Sequence, residues 1–248
     1  MLDPDLLGTI ARAAEPLEGL QVIEIGPGPG GLTRVLLGSN ATHVTAVELD
    51  ARAIAALGGL VAAAQGRLTL VQANALRVDV AALAPPPRAV VANLPYNIGT
   101  ALLVEWLQNA GAFEAFTLMF QLEVAQRICA QPGMPAYGRL SVLAQWLCET
   151  EIRMHVPANA FTPPPKVDSA LVRLVPKANQ PSQAKIKKMG LLTAAAFGQR
   201  RKMLRGALRG LGGETLLHEA GIDPARRAET LSVPEFERLL LALGREPG

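Results

Sequence analysis

Asn93-Leu94-Pro95-Tyr96 bring together a side-chain amide, a proline-stiffened backbone and an aromatic ring in four consecutive residues. The run before them, Arg88-Ala89-Val90-Val91-Ala92, is short and apolar and reads as a buried strand. The four residues therefore fall at a strand's C-terminal end, the edge where an open α/β sheet binds ligands. Methylating the exocyclic amine of a flat base calls for these parts: acceptors for the amine's N–H groups and a ring on which the base can stack. An ordinary proline turn with a tyrosine lid has the same composition, so the discrimination must come from elsewhere in the chain.

It comes from Glu24-Ile25-Gly26-Pro27-Gly28-Pro29-Gly30-Gly31, which joins a strand to a helix. Glycines let the backbone approach a ligand, and the helix N-terminus adds partial positive charge. Gly26, Gly28 and Gly31 also satisfy the dinucleotide spacing GxGxxG, and Glu48 stands near the place of a ribose-binding acid. On this motif alone a nicotinamide oxidoreductase stays open. Two features count against it. Glu24, two residues before Gly26, is typical of loops that bind S-adenosylmethionine, whose amino-acid end offers an ammonium rather than a pyrophosphate. The Asn-Leu-Pro-Tyr strand end also has no task in hydride transfer. Glu48 can accept from both ribose hydroxyls in either reading.

These residues need elements to place them. Patterning predicts a helix over 6–14, strands over 21–25, 43–48, 68–72, 89–92 and 116–120, and helices over 32–37, 50–64 (capped by Asp50) and 100–109. That βαβ rhythm argues for an α/β fold with a doubly wound parallel sheet covered on both faces. A helix over 141–148 and strands over 152–156 and 170–175 follow, the strands flanking Phe161-Thr162-Pro163-Pro164-Pro165. Pro176 to Ser182 is polar and proline-marked and reads as a linker. Beyond it the pattern is helical, with Thr193 a candidate cap and a last amphipathic helix over 233–243. We therefore expect a first domain over 1–176 and a smaller all-helical one over 183–248.

The bulk numbers fit that division. The chain has 248 residues, half of them hydrophobic, enough for one sizeable core and a smaller unit. No apolar run approaches bilayer length, and no charged-then-apolar leader is evident, which reads as a cytoplasmic protein. Cys129 and Cys148 suit a reducing compartment; a disulfide between them stays open, but two cysteines without histidine partners make a poor metal site, and none is expected. His43, His155 and His218 are scattered and receive no role. The net charge of +3 hides an asymmetry. Residues 1–168 carry 10 basic and 14 acidic side chains, whereas residues 169–213 carry 10 basic and no acidic ones. Such a segment looks like a footprint for a polyanion, most simply a nucleic-acid backbone.

Read together, the pieces resemble the ribosomal RNA adenine N6,N6-dimethyltransferases, specifically the small-subunit enzymes associated with kasugamycin sensitivity. The resemblance runs over nearly the whole chain. It rests on Glu24-Ile25-Gly26-Pro27-Gly28, Asn93-Leu94-Pro95-Tyr96-Asn97-Ile98, Tyr137-Gly138-Arg139-Leu140-Ser141, Phe161-Thr162-Pro163-Pro164-Pro165-Lys166-Val167-Asp168-Ser169-Ala170, Phe197-Gly198-Gln199-Arg200-Arg201-Lys202 and Gly221-Ile222-Asp223-Pro224. Many methyltransferases share the glycine loop; the FTPPPKVDSA and QRRK stretches are far more specific. The resemblance implies a Rossmann-like class I methyltransferase sheet. It implies S-adenosylmethionine held by Gly26, Gly28, Glu48, Leu49, Asn74 and Asn93, and catalysis at Asn93, Leu94, Pro95 and Tyr96. RNA would meet Phe161, Lys166, Arg200, Arg201 and Lys202. The target would be two neighbouring adenosines in small-subunit ribosomal RNA within an immature particle, and the enzyme a monomer.

Two departures bear on these expectations. Members usually begin with a basic tail and a Gln-Asn-Phe-Leu segment, whereas this sequence opens at Met1-Leu2-Asp3, where that segment should finish. The third strand is usually followed by Asp, and here Asn74 stands in its place. An amide oxygen still accepts, but through a neutral bond roughly half as strong. Both departures lead us to expect weaker cofactor binding. A non-catalytic RNA-binding assembly factor on the same fold, and a large-subunit methyltransferase of the antibiotic-resistance type, are the competing readings.

Overall fold

The computed structural model describes residues 4–199 and 201–244. Seven strands make one sheet: β1 (Gln21–Ile25), β2 (His43–Glu48), β3 (Leu68–Gln72), β4 (Arg88–Asn93), β5 (Ala115–Gln121), β6 (Cys148–Val156) and β7 (Ser169–Pro176), in the order β3-β2-β1-β4-β5-β7-β6. β1 to β5 pair in parallel, and β7 pairs antiparallel with β5. The central strands are buried over nearly their whole length, as a parallel sheet covered on both faces requires. From β1 the chain steps outward to β2 and β3, then returns to place β4 on the other side of β1. That reversal opens a crevice outside the carboxyl ends of β1 and β4.

The helices owe their placing to local chemistry. α1 (Pro4–Ala14) turns Leu7, Ile10, Ala11 and Ala14 into the core, and Arg173 of β7 donates to the carbonyl of Ala14 at 2.7 Å, satisfying one orphan acceptor of its last turn. α2 (Gly31–Leu37) follows the glycine loop. The expected single helix over 50–64 is two: α3 (Ala51–Ala56), capped as foreseen by Asp50 accepting from the Arg52 amide, and α4 (Gly58–Ala63). The break falls beside Gly58-Gly59, weak helix formers, and leaves Leu57 buried at the joint. α5 (Gly99–Leu107) follows β4. α6 (Leu122–Cys129), directly after β5, was not expected; only Ala125 and Ile128 among its residues are buried, too sparse a period to read.

By packing, the chain forms two compact units: 1–125 with 150–178, and 126–149 with 179–248. The segment 126–149 thus belongs with the C-terminal helices, although by sequence it precedes β6. Its Tyr137 is the reason. The ring is buried, its hydroxyl donates to the Leu231 carbonyl at 2.8 Å, and it meets Phe197 edge-on, which in turn stacks on Phe236. This second unit comprises α7 (Arg139–Leu147), α8 (Gln183–Phe197), α9 (Leu204–Ala207), α10 (Gly213–Glu219) and α11 (Val233–Leu243). Thr193 does not cap a helix. It lies buried inside α8, its hydroxyl donating to the Met189 carbonyl, while Ser182 of the expected linker is the residue that caps. Cys129 and Cys148 form no disulfide. Among the described residues no cluster of side chains could hold a metal ion, and no helix is long and apolar enough to cross a membrane.

Candidate active site

The crevice is built from strand ends. Gly26 and Gly28 follow β1, Glu48 ends β2, Asn74 follows β3 and Asn93 ends β4; because these strands are parallel neighbours, all four positions share one edge of the sheet. The antiparallel β7 delivers a second chain segment there. Its first residue, Ser169, is in register with Gln121 at the end of β5, and Asn93 is in register with Met119 two residues earlier on the same strand. The 157–168 loop carrying Phe161 and Lys166 therefore reaches the same edge as Asn93.

The glycine loop is held open by its neighbours. The Gly26 amide donates to the Val47 carbonyl, and the Gly28 amide donates to Glu48 Oε2 at 3.2 Å. Glu48 Oε1 accepts from the amides of Leu49 and Asp50 at 2.7 and 2.9 Å. A residue expected only to meet a ribose thus also ties the loop after β1 to the end of β2. Gly28 has φ 52°, and a Cβ there would point into open space, the geometry of a backbone cleared for a ligand. Leu49 stands 64 % exposed beside Glu48. Asn74 Oδ1 accepts from the Leu76 amide at 3.0 Å, which fixes its amide plane and holds the exposed Leu76 on the same loop. Leu76 escaped the sequence reading because a leucine in a loop carries no signal until its exposure is known.

Glu24 is the anomaly of the site. It is buried in β1, and desolvation pushes its carboxyl up to about 8; nearby Thr33 opposes the rise and the negative charge of Glu48 adds to it. Glu24 Oε2 and Thr33 Oγ1 each lack a partner of hydrogen-bond geometry among the described residues, so we read Thr33 as a neighbour rather than a bond. An orphaned carboxylate oxygen beneath an open glycine loop suits a ligand that brings a cationic donor.

Around Asn93, the backbone turns at once. The Pro95 carbonyl accepts from the amides of Ile98 and Gly99, starting α5. Leu94 is buried and anchors the turn, leaving Asn93 and Tyr96 half-buried and Pro95 exposed. The Tyr96 hydroxyl and Ser169 Oγ share a 2.6 Å hydrogen bond, and Asp168 closes its own loop by accepting from the Ala158 amide through Oδ1 and the Leu122 amide through its carbonyl. The Asp168-Ser169 pair is thus the brace that orients the tyrosine ring. Phe161 is half-buried and packs against the sheet core, so only part of its ring faces outward; Lys166 is exposed. In the second unit Arg201 and Lys202 are exposed, as are Lys185, Lys187 and Lys188, while Arg200 lies outside the described residues.

The family model for ribosomal RNA adenine dimethylase matches residues 1–243. Ribosomal RNA small subunit methyltransferase A of Gluconobacter oxydans is 54 % identical over 239 residues, covering 96 % of this chain and 79 % of that protein. The protein of the same description from Mesorhizobium japonicum is 56 % identical, covering 96 % and 88 %. Among solved structures, a dimethyladenosine transferase from Plasmodium falciparum superposes with a TM-score of 0.81 at 26 % identity, covering 97 % of this chain and 96 % of that one. The 23S rRNA methyltransferase ErmE superposes with a TM-score of 0.74 at 30 % identity, covering 99 % and 100 %. With the match spanning both compact units, this chain belongs to the ribosomal RNA adenine dimethylase family.

Proposed function

We propose that this chain is an S-adenosylmethionine-dependent methyltransferase that dimethylates the exocyclic N6 of two adjacent adenosines in small-subunit ribosomal RNA, a step of ribosome biogenesis. The observation that carries the reading is the Asn93-Leu94-Pro95-Tyr96 strand end set beside a braced glycine loop at the sheet's switch point, in a chain of this family. The site suits the cofactor. Gly26 and Gly28 would let its backbone-facing side approach, Glu48 would accept from the ribose, Leu49 would cover the adenine, Asn74 would meet the adenine edge, and Asn93 would border the transferable group.

When bound, S-adenosylmethionine supplies an electrophilic methyl on a positively charged sulfur. The chain's own part is to make a poor nucleophile available, because the N6 lone pair of adenine is delocalised into the ring. Asn93 Oδ1 and the Leu94 carbonyl accept the two N–H bonds of the amine and favour a pyramidal nitrogen. Pro95 stiffens that carbonyl, and Tyr96, braced by Ser169, offers a face for the base worth ~1–3 kcal/mol of stacking. Phe161, largely committed to the core, contributes an edge. No residue here needs to be a strong base; alignment supplies the acceleration, up to ~7–11 kcal/mol when the reacting atoms are held at near-attack distance.

The second unit, with Arg201, Lys202 and the lysines of α8, would hold phosphates and position the RNA without reading its bases. Lys166 would do the same on the first unit. The partner in this reading is an immature small-subunit particle in the cytoplasm, met by a monomer. Transfer of labelled methyl groups from S-adenosylmethionine to immature small subunits tests the whole. Label recovered as N6,N6-dimethyladenosine is the expected result. Binding to the particle without any labelled adenosine would make the protein a non-catalytic assembly factor instead.

A further inference from the structure

We infer that the first unit carries a second ligand site at the far edge of its sheet, a pocket for a phosphate monoester of nucleotide size. It lies at the N-terminal ends of β1, β2 and β3, opposite the strand ends that lead to Gly28, Glu48 and Asn93, and it does not depend on the methyltransferase reading. A cavity of about 440 Å³ opens there. Its origin is the connection from β3 to β4, which holds only a four-residue 3-10 turn, Val80–Leu83, where a parallel crossover ordinarily lays a full helix across the sheet. The face left uncovered is polar. His43 and Thr45 of β2 and Thr69 of β3 line the cavity, whereas Val44, Ala46 and Leu68, one residue out of step with them, belong to the core on the other face.

Three features set this cavity apart from a patch left to water. Thr45 is only 3 % exposed, yet its hydroxyl has no hydrogen-bond partner among the described residues. A buried hydroxyl without a partner is costly, and a ligand oxygen would satisfy it. The polar groups are also held together: Thr45 is in register with Thr69, whose Oγ1 shares a 2.9 Å hydrogen bond with His43 Nε2. Finally, the half-buried Arg67 brings a charge. Its Nη2 donates to the carbonyls of Ser39 and Ala41 at 3.4 and 2.8 Å, which anchors the guanidinium and leaves Nε and Nη1 without a partner among the described residues. No carboxylate is among the residues that line the cavity. An arginine fork beside hydroxyls and an imidazole, with no acid in reach, selects an oxyanion, and phosphate matches the fork. The volume exceeds what a bare phosphate fills and falls in the ~300–1,000 Å³ range of small-molecule sites. Leu83 and Pro85 supply an apolar wall for a ring. A free nucleoside monophosphate and the 5′-phosphorylated end of an RNA strand present this same chemistry.

Titration calorimetry of the full chain with guanosine 5′-monophosphate tests the site, with guanosine as the probe that lacks the phosphate. Saturable binding of the nucleotide, and none of guanosine over the same range, is the expected result. Thr45→Val keeps the shape and removes the hydroxyl, and should weaken binding about 2–10-fold. Because that hydroxyl makes no bond within the protein, the same variant should unfold in urea no earlier than the wild type. Arg67→Gln should weaken binding about 10–100-fold. The double variant Arg201→Glu with Lys202→Glu, on the second unit, should bind the nucleotide as the wild type does. Competition by short uridine oligonucleotides separates the two sources. Displacement of the nucleotide by the 5′-phosphorylated form alone makes an RNA strand end the ligand, and displacement by neither form makes it a free nucleotide. Equal displacement by the 5′-hydroxyl form overturns the monoester assignment. No binding at millimolar nucleotide, or equal binding by the wild type, Thr45→Val and Arg67→Gln, overturns the site itself.

Discussion

At the scale of single residues, Asn93 and Glu24 can each be tested alone. In the proposed mechanism, Asn93→Ala removes one of two acceptors for the amine. By the measure of removing one preorganised polar partner from a reacting site, kcat should fall about 10²–10³-fold while RNA affinity stays nearly unchanged. Parallel loss of both would remove Asn93 from the chemistry. Glu24 leaves a separate trace in stability. Its carboxyl, ordinarily near 4.5, is raised to about 8 in the folded chain, so between those values the unfolded chain ionises first. Folding stability of the ligand-free protein should therefore fall as pH rises through that window, by at most ~1.4 kcal/mol per unit for this group, and level off above about 8. Glu24→Gln lacks the linkage, so in urea titrations its advantage over the wild type should grow from pH 5 to pH 8; parallel curves would show that Glu24 ionises freely. At this scale the sequence was a good guide to where a residue stands in the fold and a poor one to its partners. Asn93 and Tyr96 were legible from their neighbours in the chain. The Tyr96–Ser169 bond joins residues 73 apart, and depends on β7 entering the sheet antiparallel to β5, which no local pattern announces.

At the scale of elements, the parallel strands were legible because a strand buried on both faces writes itself as a short apolar run. β1, β2 and β3 fall where the apolar runs placed them. Helices were read less well where tertiary contacts outweigh propensity. The alanine-rich stretch after Asp50 promised one helix, but the break at Leu57 drives that side chain against the glycine loop. A Cβ on Gly30 would lie 2.4 Å from Leu57 Cδ2, and Gly30 itself has φ 81°. Gly30→Ala should thus lose stability twice, through backbone strain and through overpacking, about 2–4 kcal/mol in all by urea unfolding. It should also weaken binding of S-adenosylhomocysteine, because Leu57 supports the loop from below. Gly59 is the control. It sits within α4, a Cβ there meets nothing within 4 Å, and Gly59→Ala should add about 0.5–1 kcal/mol. If both alanines behaved alike, the Leu57–Gly30 contact would not be what sets the loop.

At the scale of the whole molecule, charge and packing divide the chain differently. The acid-free stretch from 169 to 213 begins on β7, inside the first compact unit, and continues through α8 into the second. Composition therefore set off the acid-free segment, whereas the membership of 126–149 in the second unit was hidden, because it depends on Tyr137 reaching Leu231, 94 residues away. What makes a basic helical surface more than a soluble one is the absence of internal neutralisation. Arg52, Arg153 and Arg226 each have a carboxylate partner, and Arg205 faces Glu214 at the longer distance of 3.9 Å. Arg201 and Lys202 stand exposed on a segment that has no acids of its own. If they neutralise phosphates, the double variant Arg201→Glu with Lys202→Glu should weaken RNA binding at least tenfold at low salt. The slope of log affinity against log salt should also flatten by roughly 1–2, at ~0.7–0.9 for each phosphate no longer neutralised. Cofactor affinity should be unaffected, since neither residue belongs to the strand-end site. Salt dependence is the decisive reading here: a surface that merely keeps the protein soluble would leave that slope where it was, whatever happened to the affinity.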